Sequence, residues 1–440
     1  MKTFLDWSAY KDAGMGDAYA DIPRHGDNYA KAIAVCINSK QCEAEGKQVM
    51  CPSYKVTGNP NLSTGGRVRL LKAALSGDDF QTKLFEPEIV QALQSCLSCK
   101  GCKRECENNV DMPLIKAEFM AQHRARHGTS LRSYIIGNLP RLLFDYPALG
   151  KLIRLRNSSP LLRRIGARLT KFAADADLPQ PVKHKFKKPS NLTQRPDAKH
   201  KVVLFIDTFT RYFEPEIAYA AISLLDHLGC SIDILESQQK EAPFCCGRTY
   251  LSQGMIDKAH DQAQRLVSAL LPHVRAGKTV IGLEASCVLG LRDDAKALRL
   301  GEELTEVASA TFLLEEYLAR ELKGAELPQL SSDAPAAFIH GHCHQKAVGA
   351  MKAVRRLLKA FSAPDFQIMD TGCCGMAGTY GLEAENRELS LEVARHSLLP
   401  ALENTEKGLI VANGFSCRQQ INTLTKRRAV HLAEYLNGYL

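Results

Sequence analysis

Four closely spaced cysteines have the spacing of an iron-binding motif, C-x2-C-x2-C-x3-C: Cys96, Cys99, Cys102 and Cys106. This spacing lets the first three thiolates reach three irons of one cubane, while the fourth cysteine turns to a neighbouring cluster. The missing ligand then comes from a cysteine that precedes a proline in another run, as Cys51 does. Zinc is the weaker alternative, because zinc sites favour two separated Cys-x2-4-Cys pairs. The sequence therefore predicts a [4Fe–4S] cluster on Cys51, Cys96, Cys99 and Cys102.

The earlier run contains one cysteine fewer than the later run. It reads Cys36-x5-Cys42-x8-Cys-Pro, and with Cys106 it leaves three ligands for a second cluster, which we also expect to be of the [4Fe–4S] type. The fourth ligand could come from a nearby residue such as His25, from water or from a partner. A three-iron cluster and an empty structural site stay open as alternatives. Glu107 follows Cys106 where the usual run has proline, so we expect a different turn there.

Two adjacent-cysteine pairs, each followed by glycine, lie 128 residues apart. Adjacent cysteines can ligate one metal centre together if the glycine lets the backbone turn tightly beside it. The later copy has four cysteines, Cys343, Cys373, Cys374 and Cys417. The earlier copy has three, Cys245, Cys246 and Cys287, with Asp207-Thr208-Phe209 where Cys343 would align. We expect the two copies to differ in what they hold, with a further cluster, zinc or no metal as the alternatives, whereas Cys230 is expected to be a core residue.

Three histidines cluster around Cys343 in the string His340-Gly-His342-Cys-His344. They could ligate a metal, shuttle protons or bind an anionic group, and the structural alternative is a capped turn with one hydrogen-bonded core histidine. Glu284 precedes Cys287 by three residues and could serve as an acid, a base or a ligand, or as a capping carboxylate. We predict His342, His344 and Glu284 as catalytic residues.

The composition is that of a soluble globular protein, with 45% hydrophobic and 24% charged residues. The N-terminus lacks the apolar stretch of a secretory signal, and no run of about 18 apolar residues is present. We expect a cytoplasmic protein, with the inner face of the membrane as the alternative location. Fifteen cysteines in a reducing compartment favour metal binding or redox chemistry over disulfides.

Positive charge is concentrated in residues 121–201, which hold 18 Lys and Arg against 4 Asp and Glu, in a chain of net charge +9. Such a stretch is typical of a solvated helical surface, of a surface that contacts an anionic membrane, or of one that binds an acidic partner. Nucleic acid is not expected as a partner, because the aromatic residues and motifs of such proteins are missing.

The pattern of elements predicts five segments: an N-terminal arm (1–27), a helical domain with the first cysteines (28–128), a basic amphipathic connector and linker (129–200), and two Cys-Cys-Gly modules (201–325 and 326–440). Each module alternates strand-like and helical runs, which predicts parallel βαβ units. The fold class is thus an α-helical ferredoxin-like domain followed by a pseudo-two-fold pair of α/β Cys-Cys-Gly modules with parallel sheets.

These motifs together resemble a known family. The relevant strings are Cys-x5-Cys-x8-Cys-Pro-Ser, the Cys96 run, Ser63–Arg67, Asp207–Thr210, Gly341–Ala347, Gly372–Gly378 and Gly414–Arg418. The chain resembles the iron–sulfur half of FAD-linked D-2-hydroxy-acid dehydrogenases. It is also similar to the iron–sulfur subunits of glycolate oxidase and anaerobic glycerol-3-phosphate dehydrogenase, and its Cys-Cys-Gly modules are similar to those of heterodisulfide reductase. Gly65 stands where the resemblance leads us to expect Arg.

The resemblance implies an electron-transfer subunit. Because the sequence contains no FAD-binding domain, we expect FAD on a separate dehydrogenase subunit that oxidises D-lactate, D-2-hydroxyglutarate or glycolate. Electrons would then pass to a quinone or a soluble carrier, with peripheral membrane contact through the basic connector. The alternatives are a heterodisulfide-reductase-like thiol/disulfide oxidoreductase and a metal-stabilised scaffold or redox sensor.

Overall fold

Helices form the N-terminal part of the chain and two parallel sheets form the C-terminal part. The computed structural model describes residues 1–44, 49–192, 195–321, 327–403, 405 and 407–440. The first helices are α1 (Asp27–Ala34), α2 (Pro52–Thr57), α3 (Thr64–Ser76), α4 (Phe80–Lys83), α5 (Pro87–Gln94), α6 (Cys102–Glu105) and α7 (Met112–His127). They are followed by α8 (Leu131–Gly137), α9 (Leu139–Asp145), α10 (Leu149–Ser158) and α11 (Pro160–Thr170).

The residues before α1 pack onto the protein itself. Leu5 and Trp7 are buried. The carboxylate of Glu118, in α7, accepts hydrogen bonds from the backbone N–H groups of Phe4 and Leu5 and from the Trp7 indole. A buried carboxylate needs such donors, so this cap holds the N-terminal segment against α7.

Local signals account for the helix starts around the first cysteines. Ser63 caps α3 by accepting the Gly66 N–H at 2.9 Å. Asp111 caps α7 by accepting the Leu114 N–H at 3.2 Å. Both are the short polar side chains that satisfy free N–H groups at helix starts.

The basic stretch contains amphipathic helices, as predicted for the connector, and two of them are separated by a break. Helix α9 ends at Asp145 and α10 begins at Leu149, because the proline at position 147 disfavours the helical conformation at Tyr146 (φ −123°, ψ 79°). Helices α10 and α11 expose four leucines, Leu152, Leu155, Leu161 and Leu169. None of the helices in the described ranges combines the length and apolar character needed to cross a bilayer.

The first module begins at Lys201 and contains one four-stranded parallel sheet. Its strands are β1 (Lys201–Phe205), β2 (Ser231–Ile234), β3 (Thr279–Gly282) and β4 (Thr311–Leu313), in the order β2-β1-β3-β4. Its helices are α12 (Thr208–Tyr212), α13 (Pro215–His227), α14 (Arg248–Ser252), α15 (Ile256–Arg275), α16 (Ala285–Arg292), α17 (Glu302–Ser309) and α18 (Leu314–Glu321).

The second module has the same strand order. Its strands are β5 (Ala337–His340), β6 (Phe366–Ile368), β7 (Leu409–Ala412) and β8 (Ala429–Val430), in the order β6-β5-β7-β8. Its helices are α19 (Cys343–Ala347), α20 (Met351–Ala360), α21 (Arg387–Val393), α22 (Leu399–Leu402), α23 (Phe415–Thr425) and α24 (Leu432–Gly438). The predicted boundary at 325/326 lies outside the described residues.

The two modules share a buried hydrophobic core. Helix α13 of the first module packs against α24 of the second, and α18 of the first packs against α20 of the second. Each module therefore contributes its last helix and the second helix after its first strand. In both modules the first strand, β1 or β5, lies at the centre of its sheet and leads directly into a short helix. The carboxyl ends of parallel strands meet at one edge, and there the loops with the predicted site residues lie.

Candidate functional site: cysteine groups around a central cavity

Four of the predicted cluster ligands come together. Cys51, Cys96, Cys99 and Cys102 are buried and line one small pocket between α2, α3 and α6; we call them the inner group. Cys51 stands just before α2 in a left-handed conformation (φ 54°), which turns its side chain out of the helix axis. Ser98 and Lys100, on either side of Cys99, are also left-handed, with φ of 52° and 61°. The loop is therefore wound tightly enough for its cysteines to converge.

The surroundings of the inner group suit thiolates that hold a metal. The Thr64 N–H donates to the Cys51 Sγ at 3.1 Å, and the Thr64 hydroxyl lies at the same distance. Burial raises the pKa of Cys102 to about 12, and it raises that of Cys99 as well. Because buried thiolates need a compensating positive charge, this set fits an iron–sulfur cluster better than four free thiols.

The remaining three N-terminal cysteines are half-buried; Cys36, Cys42 and Cys106 form the outer group. Cys42 accepts the Gly65 N–H at 3.2 Å, and its contact with Cys51 is the main cause that lowers its pKa to about 6. A Cβ on Gly65 would lie 3.3 Å from the Cys42 Sγ, so the glycine leaves room for a close approach. The outer and inner groups are therefore direct neighbours.

The second module gathers its four predicted cysteines in the interior. Of these, Cys374 and Cys417 lie with His340 so that one ligand atom of each falls within 4.8 Å of the others. The Nδ1 of His340 is 2.8 Å from the Thr371 hydroxyl, and its buried Nε2 has no hydrogen-bond partner among the described residues. A histidine fixed through one nitrogen, with the other directed at two thiols, is the usual arrangement of a metal ligand. These three residues fit a metal ion or part of a cluster.

The glycines after the cysteine pairs have the expected function in both modules. Gly375 (φ 88°) and Gly247 (φ 79°) are left-handed, and a Cβ would come within 2.2 Å of the Ser390 carbonyl oxygen and 2.6 Å of the Ala259 carbonyl oxygen, respectively. No side chain fits at either position, so the backbone turns tightly beside each cysteine pair.

The three predicted ligand cysteines of the first module are also buried. Cys246 and Cys287 lie 3.1 Å apart, Sγ to Sγ, with Cys245 beside them. Thr208 begins α12 as Cys343 begins α19, so a threonine occupies the position of the fourth cysteine. Burial of Asp207, with the nearby Glu284 charge, raises the pKa of the Asp207 carboxyl to about 6. The first module thus offers fewer thiols and more carboxylate oxygens than the second.

The three residues predicted as catalytic also make structural contacts. His342 caps α19, its Nδ1 accepting the His344 N–H at 3.2 Å, and burial lowers its pKa to about 4. His344 reaches the N-terminal part of the chain, with Nε2 3.0 Å from the Ser98 carbonyl oxygen. Glu284 caps α16 through Ser286 and also accepts the N–H of Phe415 in the second module at 2.8 Å. Their catalytic roles remain predictions.

All of these groups except the outer one border a single cavity of about 830 Å³. Its wall contains cysteines of the inner group and of both modules: Cys96, Cys99, Cys245, Cys246, Cys287, Cys343, Cys373, Cys374 and Cys417. Lys116 and Arg248, which the sequence did not point to, also line it. Lys116 donates to the Cys96 carbonyl oxygen at 2.6 Å, and Arg248 lies 3.3 Å from the His344 Nε2. Their position depends on tertiary packing, and neither residue lies in the basic stretch 121–201, so no local signal in the sequence pointed to them.

Comparison with known proteins supports this description. A 4Fe-4S dicluster domain model matches residues 32–110, and a cysteine-rich domain model matches residues 338–422. The D-2-hydroxyglutarate dehydrogenase of Escherichia coli (strain K12) is 25% identical over 429 residues, which cover 86% of this chain and 40% of that protein. The chain thus spans about two fifths of the length of that relative.

Two shorter relatives are named as subunits. One subunit of the anaerobic glycerol-3-phosphate dehydrogenase of Escherichia coli (strain K12) is 27% identical over 240 residues, covering 54% of this chain and 59% of the relative. The glycolate oxidase iron–sulfur subunit of the same organism is 24% identical over 423 residues, covering 93% of this chain and 94% of the relative. The resemblance read from the motifs is confirmed: the chain carries a 4Fe–4S dicluster domain followed by a cysteine-rich domain and is homologous to iron–sulfur subunits of oxidoreductases.

Proposed function

We propose that this chain is the electron-transfer iron–sulfur subunit of a flavin-dependent 2-hydroxy-acid dehydrogenase of the D-lactate, D-2-hydroxyglutarate or glycolate type. It receives electrons from FAD on a partner chain and passes them to a quinone or a soluble carrier. Iron–sulfur clusters supply one-electron storage in such proteins. The chain's own residues bind them, set their surroundings and keep water away.

The main support for this proposal is that the cysteine groups form a continuous series from the protein surface to the cavity. The outer group is half-buried, and its Cys42 contacts Cys51 of the inner group. On the other side, Cys99 packs in one hydrophobic cluster with Cys343 and Cys373 of the second module. Redox groups placed in such a row are what electron transfer through a protein needs.

The surroundings of the inner group favour a stable resident cluster. Arg67 is buried beside it, where it donates to the Ala92 carbonyl oxygen at 2.6 Å and to the Ser53 hydroxyl at 2.9 Å. Together with the Thr64 donors, this cation opposes the negative charge that thiolates and sulfide bring into a buried site.

The amphipathic helices α10 and α11 are the proposed docking surface for an anionic membrane at its inner face. They expose their leucines and carry seven basic residues, Lys151, Arg154, Arg156, Arg163, Arg164, Arg168 and Lys171, the last at the end of α11. A helix surface with exposed apolar and cationic residues is typical of proteins that lie on anionic lipid.

The proposal is tested by purifying the chain without air, together with the flavoprotein that remains bound to it. Iron, acid-labile sulfide and zinc are counted, and EPR spectra are recorded after addition of glycolate, D-lactate or D-2-hydroxyglutarate. About eight irons and eight sulfides per chain, with cluster signals that appear on adding one hydroxy acid, are expected. Stoichiometric zinc with no iron, or clusters that none of the three acids reduces while dithionite does, would contradict it.

A second function is favoured by the cavity, because cysteines of both modules face the same 830 Å³ space. In that case the chain is a heterodisulfide-reductase-like thiol/disulfide oxidoreductase, with the disulfide bound in the cavity. Reduction of a disulfide by the dithionite-reduced chain, lost in Cys373→Ser, would favour this function. Absence of disulfide reduction by a chain with all its clusters would exclude it.

A further inference from the structure

The two N-terminal cysteine runs are related by a constant offset of 60 residues. Cys36 corresponds to Cys96, and Cys42 corresponds to Cys102. At the same offset, the position of Cys99 is occupied by Ser39. The earlier run is therefore a C-x2-S-x2-C motif, in which a hydroxyl replaces one thiol.

The backbone repeats along with the sequence spacing. Asn38 and Lys40, on either side of Ser39, are left-handed with φ of 59° and 60°. Ser98 and Lys100, on either side of Cys99, have φ of 52° and 61°. Two non-glycine residues in this rare conformation, separated by one residue, are uncommon anywhere. Their recurrence at both sites means that Ser39 sits on the same kind of turn as the cluster ligand Cys99.

The elements before and after each turn also correspond. Helices α1 and α5 each end two residues before the first cysteine. The Cys36 N–H donates to the Ile33 carbonyl oxygen at 3.4 Å, as the Cys96 N–H does to that of Leu93 at 3.1 Å. After the turn, the carbonyl oxygens of Lys40 and Lys100 each accept an N–H from three residues further on, at 2.8 and 3.1 Å.

We propose that the Ser39 side-chain oxygen is the fourth ligand of the cluster held by the outer group. This inference rests on the proposed function, because it assumes that Cys36, Cys42 and Cys106 hold a cluster. A deprotonated serine hydroxyl is an oxygen donor that can replace a thiolate on iron. Ser39 is exposed, so the proton it releases on ligation passes to water. The other protein candidate, His25, has its ring stacked on Phe80 with centroids 4.1 Å apart.

A serine ligand has a consequence for the redox properties of the outer cluster. Alkoxide oxygen is a harder and more strongly donating ligand than thiolate, so it favours the oxidised cluster. The outer cluster should therefore have a lower reduction potential than it would have with four cysteines. The nature of the ligand is one of the properties by which a protein sets such potentials.

The test compares two substitutions of Ser39 with a control substitution at another exposed serine. Ser39→Ala removes the oxygen, Ser39→Cys restores a full four-cysteine motif, and Ser8→Ala changes an exposed serine of the N-terminal segment. Each full-length protein is purified without air. Iron is counted, EPR spectra of the oxidised state are recorded, and midpoint potentials are measured by dye-mediated titration.

Removal of the oxygen should convert one four-iron cluster into a three-iron cluster. We expect Ser39→Ala to lose about one iron per chain and to show a three-iron EPR signal in the oxidised state, while Ser8→Ala matches the unsubstituted protein. Ser39→Cys should keep all irons and raise the potential of one cluster only. Two intact four-iron clusters in Ser39→Ala, or a three-iron signal already present in the unsubstituted protein, would overturn the assignment of Ser39. An unsubstituted protein without iron would instead count against the proposed function.

Discussion

His340 has one ring nitrogen that could bind a metal together with cysteines of the second module. Its Nδ1 is engaged by Thr371, and its Nε2 is buried next to Cys374 and Cys417. An unsatisfied polar atom in the interior is costly, and metal binding would remove that cost.

We expect His340→Gln to lower the metal content of the second module, because an amide is a much weaker metal ligand than imidazole. The total of iron and zinc per chain is measured by elemental analysis, and the EPR signals of the N-terminal clusters serve as an internal reference. His396→Gln, at an exposed histidine, is the control. An unchanged metal content in His340→Gln would show that the histidine only packs there.

The cysteine groups could be predicted at the residue level, whereas their neighbours could not. Spacing alone brings Cys96, Cys99 and Cys102 together, since all three lie on one short loop. Arg248 approaches the His344 ring across 96 residues of sequence, and His344 reaches Ser98 across 246. Contacts of this kind depend on how helices and modules pack, and no local pattern records them.

Glu284 connects two helices, since its carboxylate binds both the start of α16 and the start of α23. Its carboxylate accepts the N–H and hydroxyl of Ser286 and the N–H of Phe415. Glu284→Gln replaces one acceptor oxygen with a donor, so one buried N–H loses its partner. We expect a loss of about 1–3 kcal/mol in the free energy of unfolding, measured by denaturant titration.

Glu302→Gln, at an exposed position in the first turn of α17, is the matched control. If Glu284 only holds the starts of α16 and α23 together, Glu284→Gln should still transfer electrons at temperatures where it is folded. Full stability combined with lost electron transfer would instead support its predicted catalytic role.

Glu315 gives the contact between α18 and α19 a pH dependence. Its buried carboxyl is hydrogen-bonded by the side chain of Gln345, and burial raises its pKa to about 7. Because the folded state holds this proton more tightly than the unfolded state does, the contribution to stability is complete below about pH 4.5 and is lost as pH rises through about 7.

We expect Glu315→Gln to reduce the fall in thermal stability between about pH 5 and pH 8, since glutamine cannot ionise. Melting temperatures of the variant, the unsubstituted protein and Glu302→Gln are compared across this range. An equally steep fall in Glu315→Gln would mean that other groups cause the pH dependence.

Strands such as β5 and β7 were predictable because a strand covered on both faces of a parallel sheet is a short apolar run. The last strand of each sheet, β4 or β8, could not be predicted in this way. They have three and two residues, too few for any periodic pattern to emerge. They form through pairing with a neighbouring strand that is already in place, which is a tertiary effect.

At the scale of the whole molecule, one ionic network joins the three parts of the chain. Buried Lys100, next to the inner group, pairs with Asp293 and Asp294 of the first module. Asp294 also pairs with Arg248, which contacts His344 of the second module. The network therefore extends from the cluster loop to the histidines at the cavity.

Lys100→Met should destabilise the protein by about 3 kcal/mol, because it leaves buried carboxylates without one of their cations. Chemical unfolding is followed without air, together with the iron content. Lys352→Met, on the exposed side of α20, provides the comparison. An unchanged unfolding midpoint in Lys100→Met would show that Lys103 and Arg248 neutralise the pair of aspartates by themselves.

The modular order was predictable from the repeat of the Cys-Cys-Gly pairs, because a repeated string produces a repeated unit. The cavity was not, since it forms where loops from both modules, the inner group and the basic helices meet. Its shape depends on the packing of whole units, which no single segment encodes.

The cysteine groups differ in burial, so oxidants from solvent reach them in a particular order. The outer group is half-buried, whereas the inner group and the thiols of both modules are buried. Oxidants that diffuse from solvent therefore meet Cys36, Cys42 and Cys106 before any other of these thiols. Oxidation limited to the outer group would leave the thiols of the inner group unmodified, but electrons could no longer pass through the outer group.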